Sequence, residues 1–261
     1  MSIVKGGDAL TSNENVNNGG TSEEHVLRYL KADESIRVRL LSSEEIAKVE
    51  VYDIYPLTGT IGVPDGFNHF KTASEELFKK ADELKEALGY KKDDKIRDIL
   101  SEADYKTFIA GKGKEWYDTL KEAYRLTTEH RFLFGFIDLV TGNPFVMQAT
   151  KKQAPKIHEK IKKLQPQKDA FAFRVSKATG GFDIEVDFDP LTPDESTIVE
   201  RTKTFEIPVE TYGEAHFKPN EDFQLDVLKK FGFDMPKLGA KTSETTQEDT
   251  VSEVTHEDLP F

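Results

Sequence analysis

The sequence predicts an α+β chain, mainly β, in which short antiparallel strands form a small barrel, a helical segment interrupts them, and polar ends flank the whole. Three observations carry this. Over residues 36–57 and again over 131–188, short runs alternate apolar with polar side chains or are β-branched and aromatic, as strands with a buried face are. Over residues 73–123 the apolar spacing becomes that of helices. Residues 1–22 (Asn, Gly, Ser, Thr) and 237–261 (Ser, Thr, Glu) are too polar to bury a core, so a flexible arm and a disordered acidic tail are expected there. The body then spans residues 23–236, with a helical insertion at 73–123 and no internal repeat.

The elements follow in order. Ile36-Arg37-Val38-Arg39-Leu40 alternates aliphatic and basic residues, as a half-buried strand does. Val49 to Leu57 is β-branched and aromatic and ends before Thr58-Gly59. Ser74 to Leu88 places Leu77, Ala81, Leu84 and Leu88 at helical spacing, with Gly89 as the stop. Asp93 to Leu100 and Lys114 to Ala123 read as further short helices. Arg131 to Val140 and Phe145 to Thr150 flank Thr141-Gly142-Asn143, a hairpin signature. Lys151 to Leu164 is a helix with Pro155 in its first turn. Ala170 to Lys177 and Phe182 to Phe188 flank Ala178-Thr179-Gly180-Gly181, a second hairpin, and Asn220 to Phe231 closes the body as a helix. About six short strands with one helix between two hairpins suit an OB-fold-like, partly open barrel. Periodicity alone fits another α+β sheet equally well.

Several classes of protein are disfavoured. No stretch approaches the run of about 20 apolar residues that spans a membrane. Met1 to Gly20 lacks the apolar segment behind a basic start that marks a secretory signal. Cysteine is absent, which rules out disulfides and Cys-based zinc sites and suits a reducing cytoplasm. No GxxxxGK[ST] loop, HExxH pair or Cys nucleophile occurs, so no catalytic residue, cofactor or metal is expected. Asp183, Glu185, Asp187 and Asp189 alternate as nuclease metal ligands do, but a solvated strand face has the same pattern. His25, His69, His130, His158, His216 and His256 show no ligand spacing.

Charge is the next clue. The net charge of -12 argues against nucleic acid when taken whole. Its distribution does not. Between Gln148 and Lys177 lie nine basic residues (Lys151, Lys152, Lys156, Lys160, Lys162, Lys163, Lys168, Arg174, Lys177) against Glu159 and Asp169. From Met235 to Phe261 two lysines face six carboxylates.

Four features are candidates for function. Arg37 and Arg39 share one strand face, with Arg131 and Arg174 on later strands, and can line a groove that tracks a phosphate backbone. A solvated strand face looks the same. Aromatic side chains beside cations bind single strands because every base has a π-face. Phe132, Phe134, Phe136, Phe171 and Phe173 fit a core at least as well as a platform, whereas Tyr52, Tyr55, Phe67 and Phe70, among Gly and Pro and running into Lys71, are expected to be exposed. Lys152, Lys156, Lys160 and Lys163 form a stripe beside the apolar Ile157, Ile161 and Leu164; the alternative is a plain amphipathic surface helix. Finally, an acidic tail closes in Glu257-Asp258-Leu259-Pro260-Phe261, a tip whose ring a partner can bury and whose carboxylates a basic rim can read.

That tip resembles the C-terminus of bacterial single-stranded-DNA-binding proteins, which ends in acidic residues followed by an aliphatic, Pro and Phe. The body resembles phage single-stranded-DNA-binding (helix-destabilising) proteins with an OB fold. The likeness rests on Tyr29 to Leu40, on the hairpin Phe136 to Phe145, and on the hairpin Phe171 to Phe182. It implies non-enzymatic, sequence-tolerant binding of single-stranded DNA in phage replication, recombination and repair, in the cytoplasm of a bacterial host. It also implies recruitment of polymerase, helicase or primase class partners by the tip, which competes with DNA for the groove. Some phage relatives hold zinc through Cys and His in the insertion; this chain has no Cys there, so no structural zinc is expected. The rival expectation is a phage accessory or adaptor protein that docks through its tip and ignores DNA.

Overall fold

The computed structural model of the chain describes residues 4–5, 26–178 and 181–233. The described residues fall into two compact units. A sheet unit takes in those up to 51, 61–65 and 128–218; a helical unit takes in 52–60, 66–127 and those from 219 onward. The strands are β1 (Val4–Lys5), β2 (Ser35–Leu40), β3 (Ile46–Asp53), β4 (Thr60–Gly62), β5 (Glu129–Asp138), β6 (Pro144–Thr150), β7 (Ala172–Ala178) and β8 (Gly181–Asp187). The helices are α1 (His69–Ala87), α2 (Ile96–Ile99), α3 (Glu102–Ala110), α4 (Lys114–Arg125), α5 (Ala154–Leu164), α6 (Pro193–Arg201), α7 (Val209–Gly213) and α8 (Glu221–Phe231).

The fold class is α+β around an antiparallel sheet that does not close on itself. Its order is β1-β3-β5-β2-β7-β8, with β4 beside β3 and β6 beside β5. Strand β5 organises it. Along one edge it pairs with β6 from Arg131 to Ile137; along the other, Glu129 to Phe134 pair with β3 and Phe136 to Asp138 with β2. Gly135 sits at the change of partner. A Cβ there would lie 2.5 Å from Ile207 Cδ1 and 2.9 Å from the Tyr212 hydroxyl, so only glycine admits that close approach. The β5–β6 turn takes its left-handed residue at Gly142 (φ 75°), and the Asp138 carboxylate accepts from the Val140 and Thr141 N–H groups.

One face of the sheet buries Val38, Leu40, Phe134, Phe136, Phe145, Met147, Phe173, Phe182 and Ile184, joined by Ile157 and Ile161 of α5. Phe134 and Phe136 stand edge-on to Phe182 at 6.1 and 6.0 Å between ring centroids. Each such ring contributes roughly 1.5–3 kcal/mol by leaving water. The Phe-rich strands are therefore core. The other face packs Leu133, Ile137 and Val146 against Ile207 and Tyr212. There the buried Glu45 accepts from the Tyr212 hydroxyl (2.9 Å) and the Ile207 N–H (3.1 Å). Burial, then the Glu45 charge, pushes the Tyr212 phenol far up.

In the helical unit, side chains close the helix N-termini: Asn68 for α1, Ser101 for α3 and Asn220 for α8. Gly232, in the left-handed region at φ 83°, ends α8. Ala81, Ile96, Phe108 and Trp116 form the core of α1 to α4, with Leu84, Leu88, Tyr105 and Leu120 at its margin. The sole tryptophan thus belongs to this unit.

Several expectations change. Among the described residues the helices hold more residues than the strands, so this part of the chain is not mainly β. The helical segment begins at His69 rather than 73, and α8, about a hundred residues later, completes the same unit. The second strand starts at Ile46 rather than Val49. Helices α3, α6 and α7 and strand β4 went unpredicted, as did β1, which pairs Val4–Lys5 of the expected flexible arm with β3, although α6 carries a legible capping box: the Thr192 hydroxyl accepts from the Glu195 N–H while the Glu195 carboxylate accepts from the Thr192 N–H. Residues 179–180 of the second hairpin, nearly all of the N-terminal arm, and the tail with its tip Glu257-Asp258-Leu259-Pro260-Phe261 lie outside the described residues.

Candidate nucleic-acid interface

The interface is built on the sheet unit from α5 outward. Pro155 fits the first turn of this helix, and Ile157 and Ile161 anchor it to the core. That anchoring turns the lysines outward. Lys151, Lys152 and Lys156 are exposed, and none has a carboxylate at ion-pair distance among the described residues. Lys160 is half-buried and bonds Asp183 of β8 at 2.6 Å; Lys163 pairs with Glu159 at 2.7 Å. Desolvation raises the Asp183 carboxyl, but the hydrogen bonds from Lys160 and the Ile184 N–H outweigh it and leave it lowered. The stripe of four lysines is thus free at its N-terminal end and compensated at its C-terminal end. His130 lies by the free end: desolvation first, then the charges of Lys48 and Lys151 against that of Glu50, holds its imidazole below the usual value.

Arginines lie on the other face of the sheet, since Arg37 and Arg174 alternate with Val38 and Phe173, which share a core with α5. Arg37 of β2 stands opposite Arg174 of β7, and Arg174 opposite Glu185 of β8. Two guanidiniums across a ladder repel unless acids intervene. Here Arg37 pairs with Glu195 (2.9 Å) and Asp187 (3.3 Å) and donates to the Asp189 and Pro190 carbonyls; Arg174 pairs with Asp187 at 3.0 Å. Desolvation raises the buried Asp187, and the bonds from Arg174 and the Asp189 N–H with both arginine charges reverse this, so it stays ionised. The acidic alternation on β8 is therefore not a plain solvated face: Asp183 and Asp187 bind cations of their own chain.

Beside Arg37 opens a cleft of about 610 Å³ lined by Arg28, Tyr29, Glu34, Ser35, Ile36, Arg37, Asp138, Val140 and Thr141. Segment 26–28 forms its wall by pairing with β6, through the Arg28 N–H to the Val146 carbonyl and the Val146 N–H to the Val26 carbonyl. Arg28 ion-pairs with Asp138 and lies 4.5 Å over the Phe145 ring. Tyr29 is 48% exposed. Where β7 begins and β8 ends, Phe171 (37% exposed) and Phe188 (80%) meet edge-on at 6.2 Å. Phe188 lies between Asp187 and Asp189, the carboxylates that Arg174 reaches. Arginine planes, apolar floor and half-exposed rings are the groups a single strand needs for phosphate contact and stacking.

Of the predicted residues, Arg37, Arg174 and the α5 lysines lie on the sheet unit's surface, and Lys177 is exposed at the end of β7. Arg39 does not line a groove: it is buried and bonded to Asp169 at 2.7 Å, because its strand face is covered at that depth. Arg131 is likewise buried and pairs with Glu129. Tyr52 and Phe70, expected to be exposed, are buried in the helical unit against each other at 5.1 Å, with the Tyr52 hydroxyl bonded to Asn68. Tyr55, Phe67 and Lys71 are exposed as expected. Sequence reasoning missed Arg28, Tyr29 and Phe188 as surface groups. The Arg28-Tyr29 pair was visible as a dipeptide but has no periodicity around it.

Among the described residues no three His, Asp or Glu side chains are placed to hold a metal ion, and no helix is long and apolar enough to cross a membrane. These residues carry a net charge of only -3; residues 6–25 and 234–261 carry the remaining -9. Comparison with protein-family models, curated proteins and solved structures finds no match.

Proposed function

We propose that this chain binds single-stranded DNA without chemistry and without reading its sequence, on an OB-like sheet unit, and serves phage DNA replication, recombination and repair. In this reading the tip Glu257-Asp258-Leu259-Pro260-Phe261 recruits replication proteins and competes with DNA. The observation that carries it is the set of exposed rings on the sheet unit (Tyr29, Phe171, Phe188), with Tyr29 lining the cleft beside Arg37 and Phe188 between the carboxylates that Arg174 reaches. The charge of only -3 on the described residues weakens the objection raised by the total charge.

The test is a titration with oligo-dT across a salt series. Binding is expected at low salt, with affinity falling at a log-log slope of about 0.7 per phosphate contacted. The double variant Lys152→Ala/Lys156→Ala is expected to lower that slope by about 1.4. A chain that fails to bind at low salt even without residues 237–261 leaves no support for the proposal. One observation favours the adaptor alternative, a protein that docks through its tip: Arg37, Arg174 and Arg28 all spend their charge on carboxylates of their own chain. A tip peptide that binds a replication protein, together with no oligonucleotide binding, selects that alternative.

A further inference from the structure

We propose that the helical unit carries its own base-stacking site, formed by Tyr55 and Tyr124 about the guanidinium of Arg125, and that it takes a single-stranded polynucleotide; this rests on the single-strand reading above. The two tyrosines are the most exposed aromatics among the described residues of the helical unit, at 77% and 62%. Neither ring contributes much to folding where it stands. Tyr124 is held upright: the Phe78 ring of α1 meets it edge-on at 5.0 Å and 85°. Arg125, the last residue of α4, donates to the Tyr55 carbonyl and lies 4.7 Å over the Phe231 ring. One side chain therefore ties the loop bearing Tyr55 to the helix end bearing Tyr124.

The charge at this point is unlike that of the sheet unit. Arg37 has two carboxylates on it, whereas Arg125 has a neutral carbonyl and a ring, and no carboxylate at ion-pair distance among the described residues. A cation satisfied by neutral acceptors keeps its full charge for a phosphate. The other charged groups nearby along the two helices are Lys121, one turn before Tyr124, Glu122, one turn before Arg125 but not at ion-pair distance from it, and Glu75, one turn before Phe78. Flat rings beside an unspent cation suit stacked bases joined by phosphates.

The experiment uses the full chain and fluorescein-labelled oligo-dT at low salt. Tyr55→Ala/Tyr124→Ala is expected to weaken binding about tenfold or more, Tyr55→Phe/Tyr124→Phe to bind as the parent does, and Arg125→Ala to lower the salt slope by about 0.7. Photocrosslinking of the unaltered protein to bromodeoxyuridine oligonucleotide is expected to mark the peptides holding Tyr55 or Tyr124, which covers the case of an alanine variant that misfolds. Parent-like binding by a folded alanine pair, or crosslinks confined to the sheet unit, overturns this site while leaving the function reading intact. A parent chain that ignores oligo-dT overturns both.

Discussion

The sheet unit and the helical unit handle the same residue types in opposite ways. The sheet unit buries most of its Phe rings in one core and answers Arg28, Arg37 and Arg174 with carboxylates. The helical unit leaves Tyr55 and Tyr124 open and, among the described residues, gives Arg125 only neutral partners. Cross-strand pairing explains the difference. Neighbouring β-strands hold Arg37 and Arg174 directly opposite each other, and acids from β8 and α6 are needed to offset the repulsion. At a helix end, by contrast, a cation is favoured by the orphan carbonyls and needs no acid.

The largest test of this contrast is in the cores. Phe173→Ala removes a fully buried ring of the sheet unit and is expected to cost about 3–5 kcal/mol in urea unfolding followed by far-UV circular dichroism. Emission of Trp116 follows the helical unit separately. A common transition in both probes would show the division into units to be one of packing and not of stability.

Acid sensitivity ranks next. Burial, then the nearby Arg131 charge, pushes the His216 imidazole of the sheet unit down to about 4. The unfolded chain takes up that proton near pH 6.5. Stability is therefore complete above about pH 6.5 and falls as pH drops from there towards 4, by about 3 kcal/mol. In the helical unit the shifted groups, Lys92, Tyr105 and Lys114, are all raised and titrate far above neutrality. Urea midpoints at pH 7.5 and 4.5 are expected to diverge for the sheet unit more than for Trp116 emission; equal losses would refute the assignment to His216.

The smallest effect compares the two arginines. Arg37→Ala leaves Glu195 and part of Asp187 without their cation and is expected to lower stability by about 1–3 kcal/mol, with little change in the salt slope of oligo-dT binding. Arg125→Ala is expected to do the reverse. Thermal melts and salt titrations of both variants decide it, and a steeper binding loss for Arg37→Ala would invert the comparison.

Much of the fold was legible locally. The hairpins β5–β6 and β7–β8 and the helix α5 lie close to their predicted spans, because a turn signature or a 3.6-residue stripe within about a dozen residues specifies each. The site was legible only in part. Arg37 and Arg39 are two residues apart on one strand face, yet one is at the surface and the other is buried on Asp169. Tyr52 and Phe70 look as exposed as Tyr55 and Phe67 but are buried.

The sequence by itself determined which segments pair with their neighbours, where the lysines of α5 point, and that most of the negative charge lies near the chain ends. Tertiary structure alone decided that α8 joins the helical unit, that α6 brings Glu195 to Arg37, and which aromatics reach water. The physical reason is range. Periodicity and turn chemistry act over a few residues, whereas burial and ion pairing depend on which segments arrive from more than a hundred residues away, as Arg37 and Glu195 do.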